Sequence, residues 1–129
     1  RPPGVASRGD LMHPASRDTQ TAYHWGDGGV GWPLVETKGL LVIEETLAPG
    51  CSEKHHHHNK AAQCFYMLLG SAVMQFADGQ TVEIDTGMAL HIPPKTGHAI
   101  INQSDEEIRF LVISAPSSRG DRHEGEQNK

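Results

Sequence analysis

Four consecutive histidines, His55 to His58, stand in a chain that carries nine in 129 residues. Imidazole nitrogens ligate divalent transition metals, so this run is the first place where the chain could do chemistry. The run lies mid-chain between two stretches of strand character, whereas an affinity tag sits at a terminus. Side chains alternate across a strand, so His56 and His58 share one face and His55 and His57 the other. Two imidazoles at i and i+2 on an inward face can reach one ion, at about 2.0–2.1 Å for zinc. A third ligand must come from elsewhere. His98 is the first candidate, because it follows the Pro93–Pro94 turn and opens a strand. His91 is the alternative. A surface cluster of histidines with no ion is the bland reading of the same residues.

A second chemical group is Glu45. In the run from Leu40 to Leu47, residues Leu41, Ile43, Glu45 and Leu47 fall on one face of a regular strand. An unpaired carboxylate on an apolar face is costly to bury. It therefore needs a partner or serves as a pocket acid or base with a raised pKa. A slipped register that exposes Glu45 is the competing reading.

The elements that must position these residues are short strands. Gly26 to Gly31 reads as a glycine-rich turn. Strand signals follow at 40–47, 55–58, 63–69, 72–77, 81–84, within 87–93, at 98–101 and at 108–114, with Pro49–Gly50, Asn59–Lys60, Gly70 and Asp78–Gly79 as breaks. Helical periodicity is absent. Short strands with Gly and Pro punctuation predict an all-β antiparallel barrel or sandwich. Trp25, Trp32, Phe65, Tyr66 and Phe110 read as core packing, and Cys64 as a small buried hydrophobe. Residues 1–20 read as a flexible leader, partly foreign to the domain, with Met12 as the native start. The ordered domain is expected over 21–116, and 117–129 as a polar tail.

The bulk properties narrow the partners. A net charge of −5 disfavours nucleic acid, which wants a basic face. No apolar run approaches the roughly 20 residues of a membrane span. Two cysteines make no disulfide scaffold, which fits a reducing, cytoplasmic location.

The residues also resemble a known family. The segment PGCSEKHHHHNKAAQCFYMLLG is similar to the first cupin motif, with Gly50, His56, His58, Gln63 and Gly70 in register. The segment GMALHIPPKTGHAIIN is similar to the second, through Gly87, Pro93, His98 and Asn102, with Lys95 where a glycine is usual. The resemblance implies an antiparallel double-stranded β-helix, the jelly-roll cupin barrel, and commonly a homodimer. It implies one divalent transition metal (Mn, Fe, Ni, Zn or Co) on His56, His58, Gln63 and His98. Many cupins have Glu where Gln63 stands. Three imidazoles and an amide are all neutral, so the full charge of the ion stays uncompensated and favours a small anionic ligand.

Three functions are compatible with these residues. The first is a metalloenzyme acting on a small carboxylate or sugar-like metabolite by decarboxylation, isomerisation or elimination, with Glu45 moving the proton. The second is an Fe(II)-dependent dioxygenase on the same ligands. The third is a non-catalytic small-molecule-binding protein.

Overall fold

A computed structural model describes residues 12–124 of the chain. It is built of strands: β1 (Tyr23–Trp25), β2 (Gly29–Glu36), β3 (Leu41–Leu47), β4 (His56–His58), β5 (Ala62–Leu69), β6 (Ala72–Phe76), β7 (Thr81–Ile84), β8 (Ala89–Ile92), β9 (His98–Ile101), β10 (Ile108–Ala115) and β11 (Arg122–Glu124). Among the described residues no helix is long and apolar enough to cross a membrane. Two sheets form, ordered β1-β2-β3-β10-β5-β8 and β11-β4-β9-β6-β7. Every pairing is antiparallel. This is the jelly-roll arrangement, and the all-β antiparallel expectation holds.

Alternation along the strands decides what lies between the sheets. In β5, Gln63, Phe65 and Met67 are buried, while Cys64 is half-buried and Tyr66 exposed on the other face. Cys64 and Tyr66 were expected inside. The period-2 pattern set by Gln63 and Phe65 puts both of them outside. The apolar core gathers Leu47, Met67, Met74, Ile84, Ile92, Ile100, Ile108 and Phe110 in one cluster. Polar buried residues, including His56, His58, Gln63, His98 and Ser114, are also inward-facing but form a second, distinct set.

Two elements differ from the sequence expectation. The glycine-rich turn ends at Gly28, and Gly29 and Gly31 belong to β2. Residues 117–124, expected as polar tail, are tied down instead. The Asp121 carboxylate accepts backbone N–H bonds from Asn59, Lys60 and Ala61 at 2.9–3.1 Å, and β11 pairs with β4. Charged residues pair here through backbone and capping bonds that need no apolar pattern, so hydropathy gave no sign of them. Residues 1–11 of the leader and 125–129 of the tail lie outside the described residues.

The remaining motif residues have structural work. Gly70 adopts φ 83°, and a Cβ there would lie 2.8 Å from Ile108 Cγ2. Asn102 is fully buried, and its Nδ2 donates to the carbonyls of Leu47, Ala48 and Glu106. It thus fastens the loop before β10 to the end of β3. Lys95 sits at φ 66°, in the left-handed region that costs a side chain about 1–2 kcal/mol. Its backbone N–H donates to the His58 carbonyl at 2.5 Å, which holds the conformation in place. A glycine fits this position without strain. Lys95→Gly is expected to raise unfolding stability by about 0.5–1 kcal/mol, the relief being partly offset by a freer unfolded chain. Lys95→Val is expected to lower it by more than about 1 kcal/mol. Chemical denaturation of the two variants checks the sign, and an unchanged midpoint in both would contradict it.

Candidate metal centre

The four residues nominated by the sequence converge. His56 and His58 on β4 point inward and are buried, while His57 turns outward and stacks on His123 of β11 at 5.3 Å. His98 opens β9 as the register partner of His56 and is fully buried. The ring centroids lie 4.5 Å apart for His56 and His98, 5.0 Å for His56 and His58, and 6.2 Å for His58 and His98. Gln63 approaches from β5 in the opposite sheet. His91, the alternative third ligand, is exposed on β8 and does not join them.

Hydrogen bonds determine which atoms are free. The Nδ1 of His56 meets the Lys54 carbonyl at 3.0 Å, that of His58 the Asp121 carbonyl at 3.0 Å, and that of His98 the Thr96 carbonyl at 2.8 Å. A carbonyl only accepts, so each Nδ1 carries the proton and each Nε2 keeps a lone pair. Gln63 Nε2 donates to Ser114 Oγ at 2.9 Å, which leaves Oε1 as its free atom. The Nε2 atoms of His58 and His98 and the Oε1 of Gln63 are buried with no hydrogen-bond partner. Orphaned acceptors of this kind are rare in a folded interior unless something binds them. Burial also keeps the imidazoles neutral, as ligation requires. It pushes His56 down to about 2 and His98 down to about 4, and it lowers His58.

Glu53 was missed by the sequence reading. One donor atom each of Glu53, His56 and His98 lie within 4.8 Å of one another, a cluster that could hold a metal ion. The hydrogen bonds give Glu53 a different position from the histidine Nε2 atoms. Its Oε1 stands 3.9 Å from His56 Nδ1, the nitrogen already engaged by Lys54, and its Oε2 accepts from the Ile100 N–H. It faces the Nδ1 side of the His56 ring. No strand pattern covers 51–54, so nothing in the sequence marked Glu53 as inward.

Glu45 faces a cavity of about 390 Å³ that also presents His56, His58, Gln63 and Phe65. Burial, reinforced by the nearby Glu53, pushes its carboxyl up to about 8. Tyr23 donates to Glu45 Oε2 at 3.3 Å. Tyr23, Gly31 and Glu45 are register partners across β1, β2 and β3, and a Cβ on Gly31 would lie 2.7 Å from the tyrosine ring. The bare glycine lets the ring lie over β2 and reach the carboxyl. Tyr23 was a second residue the sequence did not nominate. Its only signal was the glycine two positions into the neighbouring strand.

Comparison with known proteins agrees with this architecture. A sequence model described as the cupin domain matches residues 43–114, more than half of the chain. An uncharacterised protein of Methanocaldococcus jannaschii is 31% identical over 75 residues, which cover 57% of this chain and 59% of that protein. The chain thus spans under two thirds of the length of that relative. Among solved structures, the polyketide cyclase RemF from Streptomyces resistomycificus superposes with a TM-score of 0.77 at 22% identity, over 88% of this chain and 85% of that one. A predicted oxalate decarboxylase from Thermotoga maritima gives 0.73 at 22% identity, over 82% and 100%. A sugar phosphate isomerase from Silicibacter pomeroyi gives 0.68 at 20%, over 79% and 74%. At these identities the likeness shows the fold.

Two outcomes are expected of the metal-free protein. A carboxyl raised from its ordinary 4.5 to about 8 favours the folded state at low pH, and that contribution is lost as pH rises toward 8. The depressed histidines act in the opposite sense, but only below their ordinary value of 6.5. Stability should therefore peak near pH 6.5 and fall toward pH 8, Glu53, raised to about 7, sharing the early part of the fall, and Glu45→Gln should flatten the part between pH 7 and 8 in pH-dependent denaturation. An identical slope in wild type and variant would contradict the assignment. Asp121→Ala removes the acceptor of three backbone donors, and it should cost about 2 kcal/mol. The same change should weaken retention of added Zn²⁺, because the segment that holds His58 is loosened.

Proposed function

Since the chain belongs to the cupin family, whose barrel carries many unrelated reactions, its reaction has to be read from the site, and we propose a metalloenzyme acting on a small carboxylate-bearing or sugar-like molecule. One observation carries the reading. Buried, unpartnered atoms of His58 and Gln63 belong to residues that line a cavity, and an acid held protonated near neutral pH lines the same cavity.

His56, His58, Gln63 and His98 would hold a divalent ion (Mn, Fe, Ni, Zn or Co). When bound, the ion supplies a Lewis acid that stabilises negative charge developing on a substrate oxygen. Glu45 supplies the proton chemistry. Tyr23 occupies Glu45 Oε2, so the mobile proton sits on Oε1. After delivery of that proton to substrate carbon, the carboxylate left behind accepts the Tyr23 hydroxyl bond and is stabilised by it. The reverse transfer returns the proton. Phe65, Ile43 and Val112 line the same cavity and limit water around the transfer. Decarboxylation, isomerisation and elimination all need a proton delivered to or taken from carbon. Two similar folds are described as a predicted oxalate decarboxylase and a sugar phosphate isomerase, which fall in this class.

The test uses protein purified without nickel resin. His58→Ala, and His56→Ala combined with His98→Ala, should abolish stoichiometric metal. Glu53→Gln should keep the metal with affinity lowered by no more than about a hundredfold, as for a group near the ligand set but outside it. Metal retained by the histidine variants, or lost altogether from Glu53→Gln, would overturn the ligand set. In a screen of small carboxylic acids, the metal-loaded protein should be stabilised thermally and should turn over its substrate without oxygen. Glu45→Gln should then cut turnover by about 10²–10⁴ with metal content unchanged. Turnover that requires Fe(II) and consumes oxygen would mark a dioxygenase instead.

A further inference from the structure

The segment after β10 brings a cation into the site. β11 pairs with β4 so that Arg122 opposes His58, His123 opposes His57 and Glu124 opposes His56. Directly opposed residues of an antiparallel pair point to the same face, with Cβ atoms about 4.5–5.5 Å apart. The outward pair obeys this rule, since His57 and His123 stack. Arg122 therefore shares the inward face of His58, and it lines the same cavity. Its positive charge acts on His56, His58 and His98, lowering the pKa of each, and on Glu45 and Glu53.

Arg122 is also weakly engaged. Its Nε is 3.4 Å from Glu124 Oε2, and its Nη1 is 3.9 Å from Glu53 Oε1. Charge-assisted bonds of an arginine fork normally run at about 2.7–2.9 Å. By contrast, Arg119 at the same rim holds Glu36 at 2.7 Å. Arg122 thus keeps donors free beside a cluster of four neutral donors that would carry a divalent cation. A neutral donor set that would carry a divalent cation and a guanidinium held only loosely by Glu124 both favour an anionic ligand in this cavity.

We propose that Arg122 is a specificity residue, binding a second oxyanion of the ligand, carboxylate or phosphate, distal to the group held at the His56, His58, Gln63 and His98 end. This rests on the metal-site reading and names its substrate class: small acids with two anionic groups. The planar guanidinium suits a bidentate oxyanion, and the cavity of about 390 Å³ that Arg122 shares with His56, His58 and Gln63 has room for a small acid.

Calorimetric titration of the Mn²⁺-loaded protein tests this without reference to turnover. The ligands are butyrate and succinate, pentanoate and glutarate, and 3-phosphonopropanoate. In the wild type each diacid should bind about tenfold or more tightly than the monoacid of equal length, the value of one charge-assisted pair. Arg122→Gln should reduce that preference to under about threefold while monoacid affinity and metal content stay unchanged. Arg122→Lys should retain part of it, because the charge stays and the fork is lost. A phosphonate preferred over glutarate would assign the second oxyanion as phosphate, and the reverse as carboxylate. Equal binding of mono- and diacids by the wild type, or a preference untouched in Arg122→Gln, would overturn the proposal. Those results would leave the metal site standing if butyrate still binds. Loss of binding by every acid would instead remove the reading on which the proposal rests.

Discussion

Three hydrogen bonds from imidazole Nδ1 atoms to backbone carbonyls set the character of this interior. Each fixes a ring and a tautomer together, so that the free lone pair is on Nε2 and aimed inward. Two of the carbonyls are local. Lys54 and Thr96 each lie two residues before the histidine they hold, in the loops that lead into β4 and β9. The third is Asp121, sixty-three residues away from His58. The candidate centre is therefore assembled by the fold in two stages. The loops before two strands orient two rings, and the return of the chain after β10 orients the last. The Asp121 side chain, with three backbone donors on its carboxylate, makes that return definite.

The separation of the core into an apolar set and a polar set follows from the same strands. β5 contributes Gln63 to the polar set and Phe65 and Met67 to the apolar one, all on a single face. The apolar cluster around Met67, Met74, Ile100 and Ile108 provides the burial that stabilises the barrel. It can support unfavourable groups elsewhere. Unpartnered nitrogens on His58 and His98, a strained Lys95 and an acid raised to about 8 would each weigh against an isolated small domain. Groups that lower stability tend to persist where function needs them.

The sequence made part of this legible. Period-2 alternation put His56 and His58 on one face, because strand geometry is rigid, while Gln63 and the choice of His98 over His91 came from the resemblance to the two cupin motifs. The same rule placed Glu45 inward. What stayed hidden lay off the strands or depended on long-range contact. Glu53 sits in a loop with no periodicity, and Tyr23 reaches Glu45 only because Gly31 lacks a side chain. The segment SSRGDRHE reads as tail by composition, yet its charges are what bind it: Asp121 to backbone N–H groups, Arg119 to Glu36 and β11 to β4. Hydropathy reports burial of apolar surface and is blind to strands held by such bonds.

Charge balance links these parts. A glutamate at position 63 would place an anion among the histidines; Gln63 leaves the donor set neutral. In the metal-free protein burial raises the two acids nearest to it, Glu45 to about 8 and Glu53 to about 7, so neither is fully charged at neutral pH. Arg122 adds a further positive charge on the same face. Glu124, which opposes His56 and lines the same cavity, is paired with Arg122 at 3.4 Å and so offsets that arginine rather than a bound cation. In a cavity of low dielectric such an imbalance is expensive, and water is a poor remedy for it. The missing negative charge has to arrive with the ligand. Gln63 and Arg122, contributed by opposite sheets, are then two halves of one preference for an anion.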